Sequence, residues 1–198
     1  MTLILAFDTS GPHCAAGVFR DDLALCTRIE PLAKGQAERL MGLLNECLSH
    51  ADAEWADLDA LAVGVGPGNF TGIRISVAAA RGVALAASIP AIGVSTLDVF
   101  AHGLANNHQA AVRIAIPAPR DQVYAQRFQS GAAIEAPEMV AKDSDPDLIH
   151  CDPAQFPIAD LAAVARLRLG QETGRPAPLY VRAPDAALST QAVPRIIP

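Results

Sequence analysis

Cations are scarce in this chain. Its 198 residues carry 15 Lys and Arg against 21 Asp and Glu, a formal net charge of -6. Affinity for a phosphate backbone rests on clustered Lys and Arg, so this balance argues against autonomous nucleic-acid binding, and any RNA contact needs a basic partner. Paired thiols are missing as well. Cys14, Cys26, Cys47 and Cys151 form no C-x-x-C and lie among aliphatic residues, the setting of reduced core thiols. The histidines at 13, 50, 102, 108 and 150 make neither H-x-x-x-H nor H-E-x-x-H, which argues against a metal site built by this chain. No segment is both long and uncharged enough to span a bilayer. The N-terminus meets a carboxylate at Asp8 without a basic n-region, so it reads as a first strand rather than a signal peptide. Cytoplasmic residence without a membrane is the expectation.

What is present is apolar: 51% of residues are hydrophobic, enough for a real core in one large domain or two small ones. Residues 3–9, 14–20 and 23–30 read as strands joined by short polar turns, a meander. From Gly35 to Ala51, Ala37, Leu40, Met41, Leu44, Cys47, Leu48 and Ala51 recur at helical spacing, with Leu43 beside the stripe. Leu58–Gly64, interrupted only at Asp59, reads as an apolar run of the kind buried on both faces of a sheet. A helix over 70–88, a short strand near Ile92 and a helix from Ser95 or Thr96 complete a β-β-β-α-β-α-β-α order, which implies a mixed sheet with flanking helices. The polar break Asn106-Asn107-His108-Gln109 marks a boundary between domains 1–105 and 106–198. Beyond it, 112–116 and 123–128 read as strands and 158–169 as a helix, in a half that is small, Pro-rich and loop-rich.

Val65-Gly66-Pro67-Gly68-Asn69-Phe70-Thr71-Gly72 lies where a strand turns into a helix. Glycine there allows positive φ or close approach, and free N–H groups at a helix start favour an anion. The Lys and Ser/Thr of a P-loop are missing, so a phosphate cradle and a simple tight strand-to-helix packing both remain open. Asp8-Thr9-Ser10 also has two readings, a remnant of metal-nucleotide positioning or polar residues satisfying the turn at Gly11-Pro12. The helix over 70–88 is small or apolar nearly all round, which predicts two partners for it. Arg74 and Arg81 share one side with Phe70, Val77 and Leu85 near them, a composition common at interfaces, and Val77 is expected to point outward between the arginines. His102 and His108 read as solvated loop or helix-end residues, Trp55 as a cap on the first helix, and Tyr180 and Arg182 as ties of the tail to the body.

Phe7-Asp8-Thr9-Ser10, the stretch Gly66 to Ile75, Ile89-Pro90-Ala91-Ile92-Gly93-Val94-Ser95-Thr96-Leu97 and the tail Pro178 to Ala186 resemble the TsaB family, also called YeaZ, nearly continuously over 1–105 and in patches afterwards. The chain departs from the family's usual wording at Gln36-Ala37-Glu38-Arg39-Leu40 and at Pro117 to Tyr124, and its second domain is shortened. The resemblance implies an actin-like ATPase (RNase H-like) α/β fold with a mixed sheet, flanking helices and a small, degenerate second domain. It implies a non-catalytic scaffold subunit that supports a TsaD-like catalytic subunit, with a TsaE-like ATPase, in threonylcarbamoylation of adenosine 37 of tRNA, and that meets tRNA only through that complex. The interface it implies takes Arg39 and Leu43 from the first helix and Phe70, Arg74, Val77, Ala78, Arg81 and Leu85 from the second, with a homodimer forming when the chain is alone. Asp8, Thr9, Ser10, Gly66, Gly68, Asn69 and Thr71 are the vestigial nucleotide-binding candidates. No cofactor is expected on this chain alone, and ATP or ADP is expected, if anywhere, at the partner interface. The rival readings are an active ATPase or kinase of this fold, a glycoprotease-type metallopeptidase and a self-associating scaffold.

Overall fold

Leu3–Asp8 (β1), His13–Arg20 (β2) and Leu23–Pro31 (β3) form the antiparallel meander that the alternating apolar runs predict. The computed structural model describes residues 1–105, 110–171 and 174–181. The boundary residues 106–109 and the tail from Arg182 onward, including His108, lie outside the described residues. After β3 come helix α1 (Gln36–His50), a single 3-10 turn at Trp55–Asp57, strand β4 (Ala60–Gly64), helix α2 (Phe70–Ala87), strand β5 (Ala91–Val94) and helix α3 (Thr96–Ala105). β4 pairs parallel with β1, and β5 parallel with β4, giving a mixed five-stranded sheet in the order β3-β2-β1-β4-β5.

Successive side chains on a strand point to opposite faces, and β1 shows what each face meets. Leu3, Leu5 and Phe7 join Leu40, Leu44, Ile73 and Val77 under α1 and α2. Ile4 and Ala6 join Phe156, Ile158, Leu161 and Ala165 on the other side. Those last residues belong to or adjoin helix α4 (Ile158–Arg168), so the segment after 106 contributes to the core of the first sheet as well as to its own.

Strands β6 (Val112–Ala118), β7 (Gln122–Gln129), β8 (Ala132–Ala133), β9 (Glu138–Ala141) and β10 (Leu148–His150) make a second five-stranded sheet. The loop-rich expectation for this half is corrected by β8, β9 and β10, which are too short for alternation to register above the surrounding prolines. α3 bridges the sheets: Leu97 and Ala101 pack with Ile114, Ile116 and Phe128, while Val99 faces the first core. His102 stands in the last turn of α3, as its reading as a helix-end residue has it, but it is tied rather than freely solvated. It is half-buried, with Nδ1 2.7 Å from Asp160 Oδ1 on α4, and Arg168 of α4 returns the tie by donating to Asp98 at 2.8 Å.

Candidate functional site

β1 and β4 run parallel and end side by side, so the turn after Asp8 meets the glycine turn after Gly64. The Asp8 carboxylate is fully buried. Its Oδ2 accepts the Ser10 N–H at 2.8 Å and the Ser10 hydroxyl at 3.0 Å, and lies 2.8 Å from His13 Nε2. Phe156 covers the imidazole at 5.1 Å between centroids. His13 escaped the sequence reading, and its signal was a histidine just across the hairpin turn from the strand-end Asp.

The glycines are where the two turns interlock. A Cβ on Gly72 would lie 1.8 Å from the Thr9 carbonyl oxygen, and one on Gly68 2.4 Å from that of Ser10. The Thr9 hydroxyl donates to the Gly72 carbonyl at 2.7 Å, the Asn69 N–H donates to the Ser10 carbonyl at 2.7 Å, and the Asn69 side chain caps α2 by accepting the Gly72 N–H at 2.9 Å. Gly66 takes φ +89 and accepts the Thr96 N–H at 2.8 Å. Thr71 stands exposed on the first turn of α2.

A cleft of about 490 Å³ opens between this knot and the second sheet, lined by Ser10, Pro12, Gly68, Thr96, Ile116 and Tyr124 among others. Among the described residues, none that lines it is a Lys or Arg, and its charged member is Asp152. A polyphosphate needs cations or a metal held against it, and the described lining supplies one acidic side chain and no cation.

α2 presents the second candidate surface. Its buried side is Gly72, Ile73, Ser76, Val77 and Ala80. Phe70, Arg74, Ala78, Arg81 and Leu85 share the outward side, with Phe70 47% and Leu85 81% exposed. Val77, 3% exposed, is a correction: at about 100° per residue it lies about 60° round from Arg74, far enough to turn beneath the helix onto the sheet. Leu43 is a second correction. It is fully buried at the edge of the α1 stripe and so is not available to a partner, whereas Met41 and Ala37 turn outward. Arg39 is held within the chain, donating to Glu30 and Glu46 through two hydrogen bonds each, all at 2.7 Å.

By length and composition α2 could cross a membrane, contrary to the sequence expectation, but its buried side packs on the sheet and both its arginines hold the tail. Arg74 Nε donates to the Tyr180 hydroxyl at 2.8 Å with its guanidinium 3.7 Å from the Phe70 ring centroid, and Arg81 Nε donates to the Pro176 carbonyl at 2.7 Å. Between α1 and α2 an apolar hollow of about 530 Å³ is lined by Met41, Trp55, Val83, Ala86 and Ala87. Trp55 donates its indole N–H to Asn45 of α1 at 3.0 Å.

A family model described as TsaD: tRNA N6-adenosine threonylcarbamoyltransferase matches residues 30–172. An uncharacterized protein of Mycobacterium tuberculosis is 32% identical over 205 residues, covering 94% of each chain. The tRNA threonylcarbamoyladenosine biosynthesis protein TsaB of Escherichia coli is 35% identical over 127 residues, 64% of this chain and 54% of that protein. The chain belongs to the TsaB (YeaZ) family. The match spans about half the length of that TsaB relative. YeaZ from Pseudomonas aeruginosa superposes with a TM-score of 0.73 at 27% identity over 91% of this chain and 100% of that one. A second Pseudomonas aeruginosa structure, described as similar to peptidase YEAZ, reaches 0.77 at 25% identity over 92% and 100%. The fold is the actin-like (RNase H-like) α/β fold.

Within this TsaB-family chain the Cys14, Cys47 and Cys151 thiols are poor nucleophiles. Burial pushes Cys14 and Cys151 up to about 11 and Cys47 up to about 12, so little thiolate exists at neutral pH. No group of three or more His, Cys, Asp or Glu able to hold a metal occurs among the described residues.

Proposed function

We propose that the chain is a non-catalytic subunit of the machinery that makes threonylcarbamoyladenosine in tRNA, and that it binds a TsaD-like catalytic subunit through the outer faces of α1 and α2. The observation that carries this reading is the uncovered face of α2. An 18-residue helix with Phe70, Ala78, Leu85 and Ala86 turned outward, beside the Met41–Val83 hollow, exposes apolar side chains along one face, the composition of an interaction surface. The names of the TsaB relatives supply the pathway. A supporting rather than catalytic role fits a buried Asp8 whose Oδ2 is taken by Ser10 and His13, a cleft lined by no described cation, and Cys14, Cys47 and Cys151 thiols held protonated by burial.

In this reading the chain works in the cytoplasm, reaches tRNA only within the complex, joins a TsaE-like ATPase there, and self-associates through the same face when alone. Any ATP or ADP sits at the partner interface, where the partner supplies the cations. The experiment is reconstitution. tRNA, threonylcarbamoyl-adenylate and the TsaD-type and TsaE-type subunits of the same organism should form threonylcarbamoyladenosine only when this chain is added, and the chain alone should form none. Full product formation without it would contradict the proposal.

A further inference from the structure

The chain's tail crosses α2 as a strap. Arg81 holds Pro176, the Leu179 N–H donates to the Val65 carbonyl at 2.8 Å, and Pro176 packs so closely on β5 that a Cβ on Gly93 would lie 3.3 Å from its side chain. Between the strap and the C-terminal half of α2 lies a pocket of about 510 Å³, lined by Arg81, Leu85, Ile89, Gln171, Arg175 and Pro176 among others. No carboxylate lines it among the described residues. Arg39, Arg113, Arg127, Arg166 and Arg168 each pair with an acidic side chain, whereas Arg81 and Arg175, like Arg20, Arg28, Arg74 and Arg120, pair with none of the described ones. Arg81 and Arg175 are set apart by lining one hollow together.

We propose that this pocket receives an acidic side chain of the protein partner, carried on a segment with an apolar residue beside it. The inference rests on the partner-binding reading above and names the chemistry of that contact. Arg81 has only its Nε engaged by the strap, so the outer edge of its guanidinium and the Arg175 fork are placed to donate to a carboxylate, the acceptor that guanidinium geometry matches bidentately. Leu85 at the rim and Ile89 and Pro90 in the wall supply the apolar half of the contact. A phosphate backbone fits less well. It calls for a run of cations, and here two stand among aliphatic side chains on an acidic protein. A second copy of this chain would bring like charges to like.

The test measures affinity for the TsaD-type subunit of the same organism by calorimetry at about 50 mM and about 500 mM salt, a range over which exposed charges become screened. Arg175→Glu should weaken binding roughly tenfold or more at low salt, and the loss should shrink at high salt. Arg20→Glu, the same charge change at an exposed strand end, should leave affinity unchanged and so separate the pocket from the net field. Wild-type binding with Arg175→Glu unchanged, or with both variants equally impaired, would overturn the pocket while leaving the partner-binding reading intact. Loss of tRNA retention by the assembled complex in Arg175→Glu, at unchanged partner affinity, would assign the pocket to phosphate and overturn it too. Absence of wild-type binding would remove the partner-binding reading and this inference with it.

Discussion

Single side chains decide which parts of this molecule are rigid and which are offered. Val77 packs with Leu5, Val63 and Leu44, so Val77→Glu places a carboxylate in the core. The expected cost is about 3 to 5 kcal/mol, read as a collapse of the denaturation midpoint of the isolated chain. A midpoint near wild type would mean that residue 77 faces outward after all. Two glycines of α2 make an internal contrast. Gly72→Ala drives a methyl into the Thr9 carbonyl and should lose about 2 to 3 kcal/mol. Gly82→Ala meets nothing within 4 Å and should gain about 0.5 to 1 kcal/mol of helix stability. Equal effects in thermal unfolding would show that the turns do not interlock as described. The sequence reveals that glycine matters at 66–72, because small residues cluster at a strand-helix junction. It cannot reveal that the close neighbour is the chain's own Thr9 and Ser10, since that contact joins residues more than sixty positions apart.

At the scale of elements, α1 and α2 were legible because their apolar period is long and strong, and their ends fall within a residue of the expected ones. Their faces were less so. In α2 small apolar residues surround the axis, and periodicity alone assigned Val77 to the wrong side. In α1 the stripe was right in kind, centred on Leu40 and Cys47 with Leu43 buried at its edge, but Met41 at the opposite edge stays partly open where it lines the groove beside α2. The tie of α1 to β3 makes a prediction about pH. Arg39 holds the Glu30 and Glu46 carboxyls below their ordinary range, chiefly through its hydrogen bonds. A depressed folded-state value means stability that is present above the unfolded carboxylate range of about 4.3 and is lost as pH falls through the folded value. Arg39→Ala should therefore lower the melting temperature at pH 7, with the difference from wild type closing toward pH 3. A difference that grows on acidification would contradict this ion-pair origin.

Across the whole molecule, the first sheet with its helices was readable almost in full from the order of elements, and the second sheet only as β6 and β7. Short edge strands carry too few residues to show a period. The return of α4 to cover the first sheet is a long-range packing event that no local pattern announces. The candidate site divides the same way. The arginines and apolar residues of α2 and the tail's tie at Tyr180 stood out in the sequence, while the partners that hold the tail, Arg74 and Arg81, emerged only from the fold. The central claim is that the uncovered face of α2 binds the catalytic partner, and Leu85→Glu tests it most directly, because that side chain is 81% exposed and leaves the core untouched. Calorimetric titration against the TsaD-type subunit, paired with a melting curve of the variant alone, should show an unchanged melting temperature and an affinity loss of about 2 kcal/mol or more, roughly thirtyfold. Wild-type affinity in a stably folded Leu85→Glu chain would contradict the claim.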